Sequence, residues 1–313
     1  MSHSYDPDII LNKTLSDKIE KLPALPTSIN NILELLNKLD SEYEDIVAAI
    51  DPTLAARFLQ ASNAAFYGRH IDSIQYAVRV LGYSTMRGIV LSVSLLNVFE
   101  KKQITPLFNY EKFERQAQLC AFNATTLAQL CKYEHPDKAY SVGLLHNIGK
   151  LLIAAELQEG YKKINELTKK GGMSSSEAEK RVLGHSHSEL GAAVMKHYEL
   201  PSDIVQAVWY HDMDTLGNIP RDDEDLFELC LITREAVEIT DRLKLPGHSV
   251  ITEIVQEQEN IADDIRDGIE QTSRHLLESP RKQVLPELLL QASSVLINIL
   301  RNRYKFRVRD VAG

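Results

Sequence analysis

Hydrophobic residues recur at intervals of three and four along most of the chain, the spacing that places them on one face of an α-helix. Residues 9–22 show this pattern, and so does the segment that follows Pro26. The prolines at Pro23 and Pro26 favour an extended link between the two helices. The first hundred residues contain no alternating pattern typical of β-strands. They are therefore predicted to form a bundle of about five or six short helices.

Glycine, proline and capping residues divide the rest of the pattern into further helices. Gly82 is predicted to separate a helix that begins at Ser73 from a longer one over 84–98, because glycine disfavours the helix interior. Residues 100–110 are predicted to be a connector. Later helices are predicted over 113–130, from Pro136 through His146, over 160–172, after Ser174, after His187, after Pro201, over 224–243 and over 285–300. The fold class predicted for the whole chain is all-α.

Composition and charge indicate a soluble protein and argue against some classes of binding partner. The chain has 313 residues, of which 44% are hydrophobic and 25% charged, as in soluble globular proteins. Its net charge of -9 argues against general attraction to nucleic acid or anionic lipid. No segment resembles a signal peptide or a membrane span, so the expected location is the cytoplasm, without membrane insertion. The cysteines at Cys120, Cys131 and Cys230 are widely spaced, which predicts buried reduced thiols.

One stretch carries the clearest chemical signal. Residues 141–150, SVGLLHNIGK, place His146 and Asn147 within an apolar helical run, where an unpaired polar group costs about 1–3 kcal/mol. A single such histidine is usually satisfied within a core. Further histidines follow at His187 and His211, and three imidazoles with water would satisfy a tetrahedral zinc ion. The spacing alone favours a shared metal site only weakly.

Six short motifs together resemble the HDOD family, a divergent branch of the HD-superfamily phosphohydrolases related to HD-GYP domains. They are LPALP, SNAAFYG, SIQYAVRVLG, GLLHNIGK, GHSHSELG and LPSDIVQAVWYHD, and the likeness runs from about Leu22 to about Val237. The resemblance implies an HD-domain-like helical bundle. Its parts would be an N-terminal helical lobe at 1–100, a degenerate HD-like lobe at 101–245 and a C-terminal helical extension at 246–313.

The resemblance also implies where an HD-type metal site would lie and how it is altered. An active relative holds its primary metal with a histidine, a His-Asp pair and a later aspartate. In this chain Gln116 stands at the first histidine position, His146 matches the histidine of the pair, and Asn147 replaces its aspartate. The later aspartate falls at or near Arg234, with Asp241 as a weaker alternative. Neutral amides and a fixed cation supply little of the negative charge that anchors a metal ion.

Other matches concern a second metal and the substrate. His187 and His211 match positions that serve an additional metal in HD-GYP relatives, while Asp212 stands where a second adjacent histidine is expected. Lys150 matches a family lysine near the substrate phosphate, although it would equally suit a helix surface. The trio His146, His187 and His211 is open to three interpretations, namely a vestigial structural cluster, an adventitious or regulatory metal site, or a hydrolytic centre.

The function predicted from this resemblance is a non-catalytic bacterial signal-transduction module that acts through protein contacts or a ligand pocket at the degenerate HD site. No cofactor is expected, with a weakly bound divalent metal as the alternative, and the expected partners are other signalling proteins. The competing hypothesis is a metal-dependent phosphohydrolase acting on a nucleotide or cyclic dinucleotide, with the three histidines as ligands and Asp212 or Lys150 assisting. The apolar face of the helix over 285–300 could also form a homodimer.

Overall fold

The computed structural model is helical throughout most of its length. The residues it describes are 5, 11–37, 43–50, 54–55, 58–59, 62, 71, 73–100, 102–212, 219–244, 261, 263–270, 281–304 and 307–308. The SNAAFYG motif beyond Ser62 lies outside these residues, as does residue 246, where the C-terminal extension was predicted to begin. None of the described helices is both long enough and apolar enough to cross a membrane.

The labelled helices confirm the predicted all-α class. In chain order they are α1 Lys13–Glu20, α2 Thr27–Asn37, α3 Tyr43–Ala49, α4 Ile74–Glu100, α5 Tyr110–Leu130, α6 Pro136–Leu145, α7 Ile148–Glu156, α8 Gln158–Gly171, α9 Ser175–Leu183, α10 His187–His197, α11 Ser202–Tyr210, α12 Glu224–Arg242 and α13 Arg281–Tyr304. Residues 263–270 are also helical.

Two predicted helix boundaries are wrong. Gly82 does not interrupt α4, which continues through it to Glu100. Burial of apolar side chains such as Met86 and Ile89 on this helix outweighs the roughly 1 kcal/mol that glycine costs in a helix. Conversely, the run predicted as one helix through His146 is two helices, α6 and α7, separated by a turn at His146 and Asn147.

Close contacts between backbones set the positions of the helices around this turn. A side chain at Gly143 in α6 would lie 2.7 Å from the Cα atom of Ala121 in α5. A side chain at Gly149 in α7 would lie 2.0 Å from the carbonyl oxygen of His187 and 2.8 Å from the backbone nitrogen of Gly191, both in α10. Only glycine permits helices to approach this closely. The turn therefore sits between two tight helix crossings.

Hydrogen bonds from side chains fix the starts of the two helices that lead to the site. The helix predicted after Ser174 is present as α9, and a capping box between Ser174 and Glu177 begins it. A second capping box, from Ser186 to Glu189, begins α10 and fixes the position of its first residue, His187. These caps satisfy backbone N–H groups that a helix start leaves unpaired.

The core is continuous and its thiols are reduced. Buried apolar residues form one cluster that extends from Leu15 to Leu300, and the division of the chain at residues 100 and 245 remains a prediction. The three cysteines are buried and none of them forms a disulfide, as predicted.

A short antiparallel ladder ties the C-terminal region to the end of α12. Strand β1, Leu243–Lys244, pairs with β2, Arg307–Val308. These strands are a small exception to the helical fold. They hold the chain that follows α13 against the chain that follows α12.

Candidate functional site: a histidine cluster at three helix ends

The three histidines singled out in the sequence meet in the folded chain. His146 directly follows α6, His187 is the first residue of α10, and His211 directly follows α11. The ring centroids of His146 and His211 are 5.3 Å apart, and those of His187 and His211 are 5.2 Å apart. All three side chains are buried. We call these three residues the histidine cluster.

His146 and His211 are held by the same local device. Each follows the last residue of a helix and brings its Nδ1 atom to the carbonyl three residues earlier, at 2.7 Å for Gly143 and 2.5 Å for Val208. A carbonyl oxygen only accepts hydrogen bonds, so the proton in each ring is on Nδ1. The Nε2 atom of each ring is consequently a lone-pair acceptor when the imidazole is neutral.

His187 is held by a carboxylate that the sequence reasoning missed. Glu179 in α9 accepts hydrogen bonds from the backbone nitrogen of His187 at 2.7 Å and from its Nδ1 at 2.6 Å. The hydroxyl of Ser175 donates to the second carboxylate oxygen at 2.9 Å. Burial alone would raise the pKa of Glu179, but the charge and hydrogen bonds of His187 outweigh burial and hold this pKa below its usual value.

Asn147 forms a hydrogen bond with Nε2 of His146, the ring nitrogen that does not contact the Gly143 carbonyl. Burial lowers the pKa of His146 to about 3, so the ring is neutral and its Nε2 accepts. The side-chain amide nitrogen of Asn147 lies 2.7 Å from this Nε2 and donates to it. The amide oxygen of Asn147 is buried and has no hydrogen-bond partner in the described part of the chain. Asn147 therefore supplies the hydrogen bond that the His146 imidazole needs, while its own amide oxygen lacks one.

The remaining two histidines face each other through their Nε2 atoms, which are 3.3 Å apart. Burial and the two neighbouring imidazoles lower the pKa of His211 well below its usual value, so its Nε2 accepts. The Nε2 atom of His187 lies within hydrogen-bond distance of this acceptor, while its Nδ1 contacts the buried carboxylate of Glu179. Asp212 lies 3.9 Å from His187 Nε2, accepts from the Ser176 hydroxyl, and has a pKa raised by burial.

The other predicted positions lie elsewhere or contribute indirectly. Gln116 donates to Asp241 at 2.8 Å, so the proposed first-histidine position and the weaker aspartate candidate bind each other. The charge of Arg234 acts on the thiol of Cys230, whose pKa burial raises. Lys150 lines a cavity beside Glu179. The roles assigned to Gln116, Asp241 and Arg234 through the family resemblance remain predictions.

The N-terminal region contacts the helix that carries His211. The backbone nitrogen of Tyr5 donates to the hydroxyl of Tyr210 at 2.7 Å, and the ring of Tyr5 meets that of Trp209 edge to face at 5.5 Å. Both partners lie at the end of α11. The position of His211 is thus supported by a segment about two hundred residues distant in sequence.

The donor set does not fit the primary metal of an active HD site. Across the ranges that the structure describes, no group of three or more His, Cys, Asp or Glu side chains is arranged to hold a metal ion. The reason at His146 is visible, since its accepting nitrogen already binds the Asn147 amide. The histidine cluster is arranged as a hydrogen-bonded unit in which each ring has at least one partner for Nδ1 and one for Nε2.

Comparison with protein families identifies the family to which this site belongs. The model of the HDOD domain family matches residues 22–213, which is most of the chain. A Treponema pallidum (strain Nichols) protein named "Uncharacterized protein" is 27% identical over 216 residues. That likeness covers 64% of this chain and 39% of the relative, so the chain spans well under half of the relative's length.

Solved structures with the same arrangement of helices come from several bacteria. A "Putative phosphohydrolase" from Shewanella amazonensis SB2B has a TM-score of 0.58 and 21% identity, with 91% of this chain and 98% of that chain covered. An HDOD domain protein of unknown function from Geobacter sulfurreducens has a TM-score of 0.57 and 19% identity, with 92% and 96% covered. A "Putative signal transduction protein" from Marinobacter aquaeolei VT8 has a TM-score of 0.53 and 22% identity, with 90% and 62% covered. These identities indicate a shared fold.

Proposed function

Because the chain belongs to the HDOD domain family, we propose that it is a non-catalytic signalling module of bacteria, located in the cytoplasm. It acts by binding, either to other signalling proteins or to a ligand at the former HD site. The observation that carries this proposal is the 2.7 Å hydrogen bond from Asn147 to Nε2 of His146. This bond uses the nitrogen that a hydrolytic metal would need.

The chemistry of HD hydrolysis explains why that bond matters. A bound cation activates water for attack on phosphorus, and carboxylates both neutralise the cation and fix its geometry. Asn147 carries no charge and presents an N–H group to His146. A metal ion at His146 would have to displace this donor. The same residue that satisfies the histidine cluster therefore opposes its use as a catalytic centre.

A second candidate function, a metal-dependent phosphohydrolase, has one observation in its favour. Each histidine of the cluster donates its Nδ1 proton to a carbonyl or carboxylate, the orientation that metal-ligating histidines usually show. Displacement of the Asn147 amide would free Nε2 of His146 for a metal, and loss of the contact between His187 and His211 would free the other two Nε2 atoms. The two functions make opposite predictions for metal content and turnover.

Metal analysis and phosphate-release assays distinguish the signalling module from the phosphohydrolase. Protein prepared without a histidine tag is assayed for bound transition metals and for hydrolysis of nucleotides and cyclic dinucleotides. We expect substoichiometric metal and no turnover above that of the His146→Ala variant. His197→Ala, in an exposed position of α10, is the matched control. Stoichiometric metal together with turnover that His146→Ala abolishes and His197→Ala keeps would contradict the proposal.

The apolar face of α13 gives little support to dimerisation through that helix. Leu285, Leu288, Leu289, Ala292 and Leu296 are buried in the single chain. Within residues 285–300, where the structure describes the side chains of α13, Leu290 is the one exposed large apolar residue, at 60%. Light scattering on the full chain and on a Leu290→Lys variant tests whether α13 mediates a dimer. We expect the same mass for both proteins.

A further inference from the structure

A cavity lies beside Glu179, the residue that holds His187 of the histidine cluster. It has a volume of about 140 Å³ and is formed by the connector, α7, α8 and α9. Its apolar wall includes Phe108, Ile153 and Ile164, and the ring of Tyr161 meets that of Phe108 edge to face at 5.7 Å. Glu179, which holds His187, also lines it. We call this space the α7–α9 cavity.

Three polar groups that line the α7–α9 cavity have N–H or O–H donors without a partner among the described residues. Within the described ranges, the ammonium of Lys150, the hydroxyl of Tyr161 and the side-chain amide of Asn165 have no hydrogen-bond or ion-pair partner. Burial raises the pKa of Tyr161, so its hydroxyl keeps the proton that it can donate. A lysine ammonium beside an apolar wall is stabilised by a negatively charged partner.

The one carboxylate in the cavity is already satisfied. Glu179 accepts from the backbone and Nδ1 of His187 and from the hydroxyl of Ser175. Its partners are therefore internal, and it does not form an ion pair within 4 Å of Lys150. The charge of Lys150 still acts on the Glu179 carboxylate and helps to lower its pKa. A negatively charged acceptor inside the cavity would form the direct ion pair with Lys150 that Glu179 does not form.

The size of the cavity limits what that acceptor can be attached to. A dry cavity of about 150 Å³ accommodates benzene. The α7–α9 cavity is of similar size, whereas sites for drug-sized ligands occupy about 300–1,000 Å³. A cyclic dinucleotide is too large to enter it whole. A six-membered ring against the Phe108, Ile153 and Ile164 wall would fill it.

We propose that the α7–α9 cavity binds a compact organic anion, a carboxylate carried on an apolar body about the size of a six-membered ring. The carboxylate pairs with Lys150 and accepts from Tyr161 or Asn165, and the ring packs on Phe108 and the two isoleucines. The proposal rests on the proposed function in one respect, that the chain acts by binding. A ligand here would touch Glu179 and so bear on the support of His187.

Ligand-observed NMR titration with benzoate tests the proposal on the full chain. We expect saturable binding of benzoate that weakens about tenfold when Lys150→Gln removes the cation, while Lys163→Gln, an exposed position on α8, binds as the unmodified chain does. Neutral benzamide, which keeps the ring, and acetate, which keeps the charge, should each bind about tenfold more weakly than benzoate. Thermal unfolding of the two variants verifies that both fold.

The outcomes separate this proposal from the proposed function. Absence of benzoate binding at millimolar concentration, equal binding by Lys150→Gln, or equal binding of benzamide overturns the carboxylate site. Those results leave the hydrolysis and metal assays unchanged, and turnover in those assays would contradict the proposed function without affecting the benzoate titration. If inorganic phosphate competes with benzoate at equal concentration, the site recognises charge alone and the proposal fails.

Discussion

The side-chain amide of Asn147 lies 2.7 Å from Nε2 of its neighbour His146 and donates to it, while the amide oxygen has no partner in the described part of the chain. One residue thus satisfies a buried imidazole at the cost of one unsatisfied oxygen. In a hydrolytic relative an aspartate is expected at this position. Whether Nε2 of His146 is available to a metal ion therefore depends on the amide nitrogen of Asn147.

The Asn147→Asp variant tests that dependence. A carboxylate cannot donate to Nε2 of His146, so two acceptors would face each other, and we expect the free energy of unfolding to fall by about 1–3 kcal/mol. A divalent cation should recover stability in this variant more than in the unmodified chain, because the carboxylate and the imidazole become a ligand pair. Urea unfolding with and without manganese or zinc measures both effects.

The control for that experiment is Asn31→Asp, an exposed position of α2 that adds the same charge. Its stability should be unchanged with and without the metal. If Asn147→Asp is as stable as the unmodified chain without metal, the hydrogen bond to His146 does not stabilise the site as inferred.

Glu179→Ala removes the carboxylate that holds His187. Because this substitution breaks a buried pair and leaves an imidazole nitrogen and a backbone N–H unpaired, we expect a loss of about 3 kcal/mol in the free energy of unfolding. Glu166→Ala, exposed on α8, should change stability by less than about 0.5 kcal/mol. Equal losses in the two variants would show that Glu179 is not the support of His187.

Gly149→Ala and Gly88→Ala form a matched pair within helices. Alanine normally stabilises a helix relative to glycine by about 1 kcal/mol. At Gly149 the new methyl group would meet the His187 carbonyl oxygen at 2.0 Å, so we expect a loss of about 3 kcal/mol. At Gly88 the nearest atom is the Ser141 hydroxyl oxygen at 3.6 Å, and the substitution should be neutral or stabilising. Thermal unfolding compares the two directly.

Stability should fall in mild acid because of the buried neutral histidines. The folded chain keeps His146 neutral until its pKa of about 3, whereas the unfolded chain takes up this proton near the usual 6.5. The unfolded state therefore binds more protons in this window, and the free energy of unfolding declines by up to about 1.4 kcal/mol per pH unit for this residue. His211 acts in the same direction. The nearby charges of Lys150 and His187 lower the pKa of His146 further.

Urea unfolding between about pH 7 and about pH 5 measures the slope. His146→Gln should show a shallower slope than the unmodified chain, and the exposed control His197→Gln should keep the original slope. The carboxyl of Glu179 does not titrate in this window, because its pKa lies below the usual value of 4.5. A slope that His146→Gln does not change would contradict the assignment of a neutral buried imidazole.

The sequence predicted the all-α class and suggested a shared site for the three histidines, but it did not reveal the contacts that hold the histidine cluster. Capping residues such as Ser174 act within one turn, so a local pattern reveals them. The turn at His146 depends instead on the contact between Gly149 and α10, which lies about forty residues along the chain. Sequence reasoning missed Glu179 because α9 contains several charged residues. Only the hydrogen bond to His187 in the folded chain distinguishes Glu179 from them.

The same distinction explains the error at Gly82. Helix propensity is a local preference of about 1 kcal/mol, and the burial of one face of α4 against the core exceeds it. The family motif suggested a metal-site position for Gln116, and that role stays a prediction. Its amide contacts Asp241 in α12, 125 residues along the chain, so no local pattern reveals this pair.

Trp209 is the only tryptophan in the chain, is buried, and lies within one helical turn of His211 while its ring touches Tyr5. Its fluorescence therefore comes from a single known position beside the cluster. Any event that shifts the end of α11 or withdraws Tyr5 will change that emission. Spectroscopy of the unlabelled protein can thus report changes at this part of the molecule in real time.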